Sequence, residues 1–216
     1  MTLPRRLIVA WLIVMTGVLS GCASTALVEG NDYVLLQPSR PTAPGPAIEV
    51  IEFVWFGCSH CADMYPRMKA WARTQAADVT VRVQPAIFRE SWVAGARLHH
   101  TLEVLGEWDR LSGLVFEAVQ LDGLDLADEP ALSAWIEAQG IGRQRFRDTY
   151  RSAQVEALLG LSASTARDYQ LTGVPAFVVG GRYLTSNRLS GSSENTLLTV
   201  ERLIAMVRKE RQATAR

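Results

Sequence analysis

The arrangement of apolar and polar positions predicts a strand, a helix and a second strand in the first half of the chain. Ile48–Phe56 is an apolar run rich in β-branched and aromatic residues, which predicts a buried strand. A helix is expected to begin near Cys58 and to end at about Ala77. Valine then alternates with polar residues over Val79–Pro85, and this period of two predicts another strand. Strand, helix and strand at this spacing form a βαβ unit.

The pattern changes between residues 89 and 169. This segment contains no strand-like run and is rich in Ala, Leu, Glu and Arg at helical spacing. Breaks at Gly106, at Leu121–Pro130 and at Gly140–Gly142 divide it into several helices. We therefore predict that residues 89–169 form one inserted helical subdomain.

The last part of the chain predicts two strands and a helix. Gly173–Thr185 contains two short apolar runs on either side of Gly180 and Gly181, which is a hairpin signal. A final helix is expected from Glu194 to about Arg211. The complete order is βαβ, helical insertion, ββα. This order predicts an α/β fold in which helices cover the faces of a sheet.

The residues before the first strand predict export. Two arginines at positions 5 and 6 precede the apolar run Leu7–Leu19, which is short for a membrane span and typical of a secretory signal. The next residues, Leu19–Cys22 with the sequence LSGC, resemble the lipobox of bacterial lipoproteins, in which the cysteine is lipidated and becomes the mature N-terminus. The alternatives are a plain signal peptide cleaved after Ala26 and an uncleaved anchor helix.

A tether and a connector are expected between this signal and the fold. Asp32–Pro38 predicts a short edge strand, and the proline-rich segment Pro38–Pro46 predicts a stiff connector. The predicted organisation is a lipoprotein-type signal peptide at residues 1–21, a tether with the edge strand and connector at 22–46, a sheet domain at 47–88 and 170–211, and the helical subdomain at 89–169.

Composition narrows the classes of function. The 216 residues carry a formal net charge of +0, which gives no reason to expect nucleic acid or an anionic surface as partner. The cysteines are Cys22, Cys58 and Cys61. If Cys22 is acylated or removed, an exported protein keeps a single pair in an oxidising compartment.

That pair, Cys58 and Cys61, has the C-x-x-C spacing beside a βαβ pattern, which is typical of thioredoxin-like redox motifs. Cys58 falls at the start of the predicted helix, where free backbone amides and the helix dipole stabilise a thiolate. Cys61 lies one turn further in and is able to close the disulfide. His60, between them, adds a positive charge or a hydrogen-bond donor. A stabilised thiolate favours the reduced dithiol, so the disulfide form becomes a stronger oxidant.

Two other uses of the cysteine pair remain open beside the favoured redox interpretation. A structural disulfide that closes so small a loop restrains the unfolded chain least. A zinc site needs four ligands, and one C-x-x-C supplies two. His99 and His100 could in principle complete such a site, but adjacent helical residues point in different directions. We therefore expect no metal site.

Two further features bear on the chemistry. Glu52 lies inside the apolar strand, where an acid indicates a buried carboxyl group that accepts a proton or tunes the pKa values of the cysteines. The alternative is a residue at the rim of the sheet with an exposed carboxylate. Val174 and Pro175 stand at the start of a predicted strand and form a candidate cis peptide bond.

These features, in this order, resemble the DsbA family of thioredoxin-fold thiol-disulfide oxidoreductases. The likeness rests on the Asp32–Pro38 segment, the strand VIEFVWF, the CSHC pair, the helical insertion and GVPAF, and it extends over roughly residues 32–211. It implies a thioredoxin-like α/β fold, which is a central mixed sheet flanked by helices, with an inserted helical subdomain. The LSGC segment predicts a lipoprotein form of the family.

The resemblance also implies roles for the residues around the pair. Cys58 is the attacking thiolate and Cys61 the resolving one, His60 stabilises Cys58, and Glu52 matches the buried acid of the family. The family usually has Pro-His between the cysteines, whereas this chain has Ser59 in place of the proline. Because the intervening pair tunes thiolate stability, this difference leaves the redox potential open.

The remaining implied site is a substrate contact. By the resemblance, the bond between Val174 and Pro175 is cis and faces the disulfide. Val174 then offers backbone groups to an extended substrate chain.

The function that the resemblance implies is periplasmic disulfide donation. The Cys58–Cys61 disulfide passes to exported cysteine-containing proteins, and a DsbB-like membrane protein reoxidises the pair. We expect a monomer without a cofactor, attached to a membrane by a lipid on Cys22. The alternatives are a disulfide isomerase or reductase held in the reduced state, and a non-redox lipoprotein that binds zinc or a peptide.

Overall fold

The computed structural model describes residues 26–214, which are built around a five-stranded sheet. The strand order across the sheet is β1-β5-β4-β2-β3. β2 and β3 run parallel, whereas the other neighbouring pairs are antiparallel, so the predicted mixed sheet is confirmed. The strands are β1 (Val34–Leu35), β2 (Ile48–Val54), β3 (Val79–Pro85), β4 (Ala176–Val179) and β5 (Tyr183–Ser186).

Helices make up most of the rest of the described chain. A short 3₁₀ turn, Glu90–Trp92, leads into the second helix. Helices α2 to α6 follow β3 and precede β4, in the stretch where the sequence predicts helices alone. The helices are α1 (Ser59–Ala72), α2 (Val93–Leu105), α3 (Trp108–Gln120), α4 (Glu129–Ala138), α5 (Arg143–Tyr150), α6 (Ala153–Asp168), α7 (Asn187–Ser190) and α8 (Ser193–Thr214).

The buried strand β2 explains why its sequence is apolar at almost every position. All of its residues are buried, and it pairs with β3 on one side and β4 on the other. Val50 packs with α1 and α8 on one face of the sheet, whereas Ile51 and Phe53 pack with α6 and Trp92 on the opposite face. Both faces of the strand are therefore covered, as in parallel α/β sheets.

A separate core joins the helical insertion to the start of α1. Val54, Phe56 and Cys61 pack with apolar side chains of α2, α3, α4 and α5. The start of α1 is consequently held between the sheet and the inserted helices, which fixes the direction in which its first turn points.

The β4–β5 hairpin turns at the two glycines that the sequence indicates. Gly180 and Gly181 have φ angles of +58° and +65°, a conformation that side chains with a Cβ rarely adopt. At Gly181 a Cβ atom would also lie 2.2 Å from the carbonyl oxygen of Arg40. Glycine at this position is therefore required both by the turn and by the close approach of the connector.

Several element boundaries differ from the predicted ones, and β1 covers only Val34–Leu35 of the predicted Asp32–Pro38 strand. β2 ends at Val54 rather than Phe56, because the chain turns there towards α1. α1 ends at Ala72 rather than Ala77. The Thr74 hydroxyl and Gln75 amide donate to the Trp71 carbonyl oxygen at 2.7 and 3.2 Å, and such side-chain bonds compete with helix continuation. The final helix extends past the predicted Arg211, to Thr214.

The predicted signal peptide and the lipobox cysteine, Cys22, lie outside the described residues. Within residues 26–214, none of the helices combines the length and the apolar character needed to cross a membrane.

Candidate active site

Cys58 lies at the junction between the sheet and the active-site helix. It occupies the N-cap position of α1, with extended backbone angles, φ −94° and ψ 114°. The Cys58 amide donates to the Trp55 carbonyl oxygen, and the Cys58 carbonyl oxygen accepts from the amides of Cys61 and Ala62. The thiol therefore sits at the positive end of the helix, as the sequence predicts.

The two thiols are free and differ strongly in environment. Cys58 is half-buried and Cys61 is fully buried. A hydrogen bond from the Cys61 side chain lowers the pKa of Cys58 most. Burial raises the pKa of Cys58 and so opposes this effect. Hydrogen bonds from the backbone amides of Cys61 and His60, and the charge of His60, lower the pKa further. The resulting pKa of Cys58 is about 6. Burial raises the pKa of Cys61 well above its ordinary value, and the Cys58 thiol adds to this shift. The pair thus combines an acidic outer thiol with an inner thiol that holds its proton.

The loop before β4 brings a backbone acceptor to the outer thiol. The peptide bond between Val174 and Pro175 is cis, as the resemblance implies. The Sγ atom of Cys58 donates to the Val174 carbonyl oxygen at 3.5 Å. Val174 is half-buried and Pro175 is buried. Residues far apart in sequence therefore meet directly at the thiol.

Glu52 is a buried acid on β2, so the alternative of an exposed carboxylate at the sheet rim is wrong. Its exposed fraction is 2%, and its Oε1 atom has no hydrogen-bond partner among the described residues. Burial raises the pKa of Glu52 from 4.5 to about 8. Its charge in turn contributes to the raised pKa of Cys61. The Glu52 carboxyl group is therefore protonated at neutral pH and electrostatically coupled to the inner thiol.

The two residues between the cysteines are exposed. Ser59 is the first residue of α1, and within residues 26–214 its hydroxyl makes no hydrogen bond to the Cys58 sulfur. His60 acts on Cys58 through its backbone amide and its charge. His60 is thus the intervening side chain with an identifiable effect on the thiol.

An aromatic stack beside the active-site loop was missing from the sequence predictions. Trp55 and Trp92 are parallel, with ring centroids 4.2 Å apart, and Phe88 meets Trp92 edge-on at 5.0 Å. Because β2 and β3 are parallel, the segments that follow them emerge at the same edge of the sheet. The parallel pairing of β2 and β3 could have predicted this stack, because Trp55 follows β2 and Trp92 follows β3.

The expectation that the His99 and His100 side chains point in different directions is wrong. Adjacent helical residues were expected to point apart, yet both rings face the carboxylate of Glu103. His99 Nε2 lies 3.4 Å from Glu103 Oε1, and His100 Nδ1 lies 2.7 Å from Glu103 Oε2. Glu103 is four residues after one histidine and three after the other, so it lies between them on the helix surface. Within the described part of the chain, this metal-competent cluster includes neither cysteine.

Comparisons with known proteins support the assignment that this geometry suggests. Residues 59–199 match the family model described as a DSBA-like thioredoxin domain. The thiol:disulfide interchange protein DsbA of Pseudomonas syringae pv. tomato is 32% identical over 211 residues, which is 97% of both chains. The protein of the same name from Azotobacter vinelandii is 34% identical over 179 residues, or 83% of this chain and 84% of that one. The crystal structure of Pseudomonas aeruginosa DsbA has a TM-score of 0.80 at 32% identity, covering 87% of this chain and 96% of that one.

The fold and the unequal cysteine pair at a helix N-terminus define a thiol:disulfide oxidoreductase of the thioredoxin-like class. Within that class, the chain belongs to the DsbA family.

Proposed function

We propose that the protein is a periplasmic dithiol oxidase that donates the Cys58–Cys61 disulfide to exported proteins. The observation that carries the proposal is the position of Cys58 at the N-terminus of α1, where its pKa falls to about 6. A thiolate stabilised in this way favours the reduced pair, so the oxidised pair gives up its disulfide readily.

The proposed exchange has two steps. A substrate thiolate attacks the sulfur of Cys58, the bond between Cys58 and Cys61 breaks, and Cys61 leaves as a thiolate that takes up a proton. A second substrate thiolate then attacks the substrate sulfur of the mixed disulfide, and Cys58 leaves as a thiolate. The substrate loses two electrons and the cysteine pair gains them. A thiolate of low pKa is a good leaving group, which favours the second step.

Glu52 supplies the proton in the first step of this proposal. Its raised pKa keeps it protonated at neutral pH, and it is coupled to Cys61, the sulfur on which negative charge appears. The reverse transfer, from Cys61 to Glu52, serves reoxidation. His60 acts beside them by stabilising the Cys58 thiolate, and Ser59 forms part of the exposed surface that meets the substrate.

Val174 and Pro175 form the substrate contact. When Cys58 is reduced and carries its proton, the Val174 carbonyl oxygen accepts from the thiol. In the oxidised pair Cys58 has no proton to donate, so this carbonyl is available to a backbone amide of an extended substrate. Pairing of that kind is independent of side chains and suits a protein with many substrates.

Two alternatives use the same scaffold. A reductase requires a pair that is stable in the oxidised form, which disagrees with the low pKa of Cys58. An isomerase attacks substrate disulfides with a reduced pair, so it would need a partner that keeps Cys58 and Cys61 reduced. A zinc site at the cysteines requires additional ligands beside them. Within residues 26–214, the cluster of potential ligands contains neither Cys58 nor Cys61.

The proposed cellular setting follows the sequence. Export by the signal at residues 1–21, a lipid on Cys22 and a tether at 22–46 would place the sheet domain (47–88 and 170–211) and the helical subdomain (89–169) beside a membrane. A DsbB-like membrane protein would then reoxidise the pair. Metabolic labelling with a radioactive fatty acid tests the anchor. We expect the parent protein to incorporate the label and a Cys22→Ser variant to incorporate none, and a parent protein without label would rule out a lipid at this residue.

The direct test of donation is a stoichiometric transfer assay. The oxidised protein is mixed with a reduced, unfolded protein that has two cysteines, and free thiols on both are counted after acid quenching. We expect the substrate to lose two thiols while Cys58 and Cys61 become free. If the thiols of both proteins stay unchanged, the proposed donation is refuted.

A further inference from the structure

The cluster formed by His99, His100 and Glu103 takes no part in the proposed exchange. We propose that these residues bind a divalent transition metal of the zinc class, at a site separate from the cysteine pair. Imidazole nitrogens and a carboxylate are ligands that zinc prefers, and three protein ligands leave one position for water. This proposal is independent of the direction of the redox reaction.

The spacing of the ligand atoms suits such an ion. One ligand atom from each residue lies within 4.8 Å of the other two. With zinc-to-ligand bonds of about 2.0–2.1 Å, neighbouring ligands of a tetrahedral ion are separated by roughly 3.3 Å. The distance of 3.4 Å between His99 Nε2 and Glu103 Oε1 is close to that value. The distance of 2.7 Å between His100 Nδ1 and Glu103 Oε2 is a hydrogen bond, which the metal would replace.

The environment of His99 is the second, independent observation. Its side chain is 1% exposed, and neither ring nitrogen has a hydrogen-bond partner among the described residues. The 3.4 Å approach of its Nε2 atom to Glu103 Oε1 lacks hydrogen-bond geometry. A buried imidazole without a partner is costly, and a metal ligand bond would supply that partner.

His100 has the outer support expected of a metal ligand. Its Nε2 atom lies 2.8 Å from the Ser162 hydroxyl oxygen, and that oxygen accepts from the Gln84 side-chain amide at 2.8 Å. Ser162 is fully buried, so the arrangement holds the His100 ring in place. When Nε2 donates its proton to Ser162, the lone pair of Nδ1 faces Glu103 and the proposed ion.

The cluster also has a route to solvent. Glu103 has a side chain that is 37% exposed, and it lines a cleft of about 740 Å³ with Trp108, Lys69 and Glu52. Trp108 also packs against the His99 ring, with 4.0 Å between the ring centroids. The proposed site therefore has an aromatic neighbour and an adjoining cleft with space for a water ligand.

The test measures metal binding in a protein that lacks both cysteines of the pair. The protein is purified without a histidine tag and with both Cys58→Ser and Cys61→Ser. It is then titrated with Co²⁺, followed by its visible absorption, and with Zn²⁺ by calorimetry. We expect one equivalent to bind, and Glu103→Gln or His100→Gln to weaken the binding by about 100-fold or more, because each removes a ligand. Ser162→Ala is expected to weaken binding by about 10–100-fold through the loss of outer support.

Glu117→Gln is the matched control, since it makes the same change in charge at an exposed position of α3. It should bind the metal as the parent protein does. Circular dichroism checks that each variant is folded. If His100→Gln does not fold, the comparison between the parent protein and Glu103→Gln decides whether the site exists. Absence of binding to the parent protein, or equal binding to the parent and to Glu103→Gln, would overturn the proposal.

Discussion

In a Cys61→Ser protein, Cys58 is expected to react with a thiol-directed alkylating reagent about a hundredfold faster at pH 7 than Cys61 reacts in a Cys58→Ser protein. A pKa of about 6 makes about nine-tenths of Cys58 thiolate at this pH. The pKa of Cys61 lies well above 9.0, so its thiolate fraction is below about one-hundredth. Serine at position 61 keeps a hydroxyl donor for Cys58, which preserves the main cause of its low pKa. Stopped-flow alkylation measures both rates.

The same two variants should behave oppositely with a substrate. The single-cysteine substrate is supplied as its mixed disulfide with thionitrobenzoate. The Cys58 thiolate of the Cys61→Ser protein is expected to attack the substrate sulfur and release thionitrobenzoate. The resulting mixed disulfide should be stable, because neither protein has a second thiol to release it. The Cys58→Ser protein, whose remaining thiol is fully buried, should form almost none. Non-reducing electrophoresis shows the adducts. Equal alkylation rates, or adducts mainly through Cys61, would contradict the assigned roles.

Replacing Glu52 by glutamine is expected to stabilise the protein more as the pH rises. The pKa of Glu52 is about 8 in the folded chain and 4.5 without burial, so unfolding releases a proton between these pH values. Stability is therefore lost as the pH increases through this window, by about 1.4 kcal/mol for each pH unit. Because glutamine does not ionise, the gain in unfolding free energy over the parent protein should be roughly 3–4 kcal/mol larger at pH 8 than at pH 5.

Urea denaturation of the reduced proteins at both pH values measures this difference. Glu49→Gln is the control on the same strand, because Glu49 is also buried but pairs with Arg82 at 3.1 Å. Its replacement removes an ion pair and should lower stability rather than raise it. If the gain from Glu52→Gln is the same at pH 5 and pH 8, Glu52 is not a buried acid with a raised pKa.

Local sequence patterns predicted the elements that carry the cysteines. The apolar run ending near Phe56, followed by C-x-x-C, was sufficient to place Cys58 at the start of a helix. The acid inside that run indicated the burial of Glu52. These features depend on neighbouring residues, and their physical causes are visible within one strand and one helical turn.

Contacts between segments that are distant in sequence could be predicted only from the sheet topology or from the family resemblance. Val174 meets Cys58 because β4 lies beside β2, and a local pattern does not define that pairing. The Trp55–Trp92 stack depends in the same way on the parallel pairing of β2 with β3. The predicted end of α1 was also wrong, because side-chain bonds of Thr74 and Gln75, rather than periodicity, accompany the end of this helix.

The histidine pair shows a different limit. The argument that adjacent helical residues diverge is correct for the backbone, since their Cβ atoms point in different directions. It fails for long side chains that have a shared partner one turn later. Glu103 was visible in the sequence at the right spacing, and it was the signal that His99 and His100 belong to one cluster.

The central claim is that the low pKa of Cys58 makes the cysteine pair a donor of disulfides. Its most direct test is the equilibrium of the Cys58–Cys61 pair with glutathione buffers at pH 7, with the reduced fraction determined by alkylation and mass spectrometry. We predict a reduction potential above about −200 mV, on the oxidising side of the glutaredoxins. A potential below that value, towards the roughly −270 mV of thioredoxin, would contradict the claim and favour a reductase.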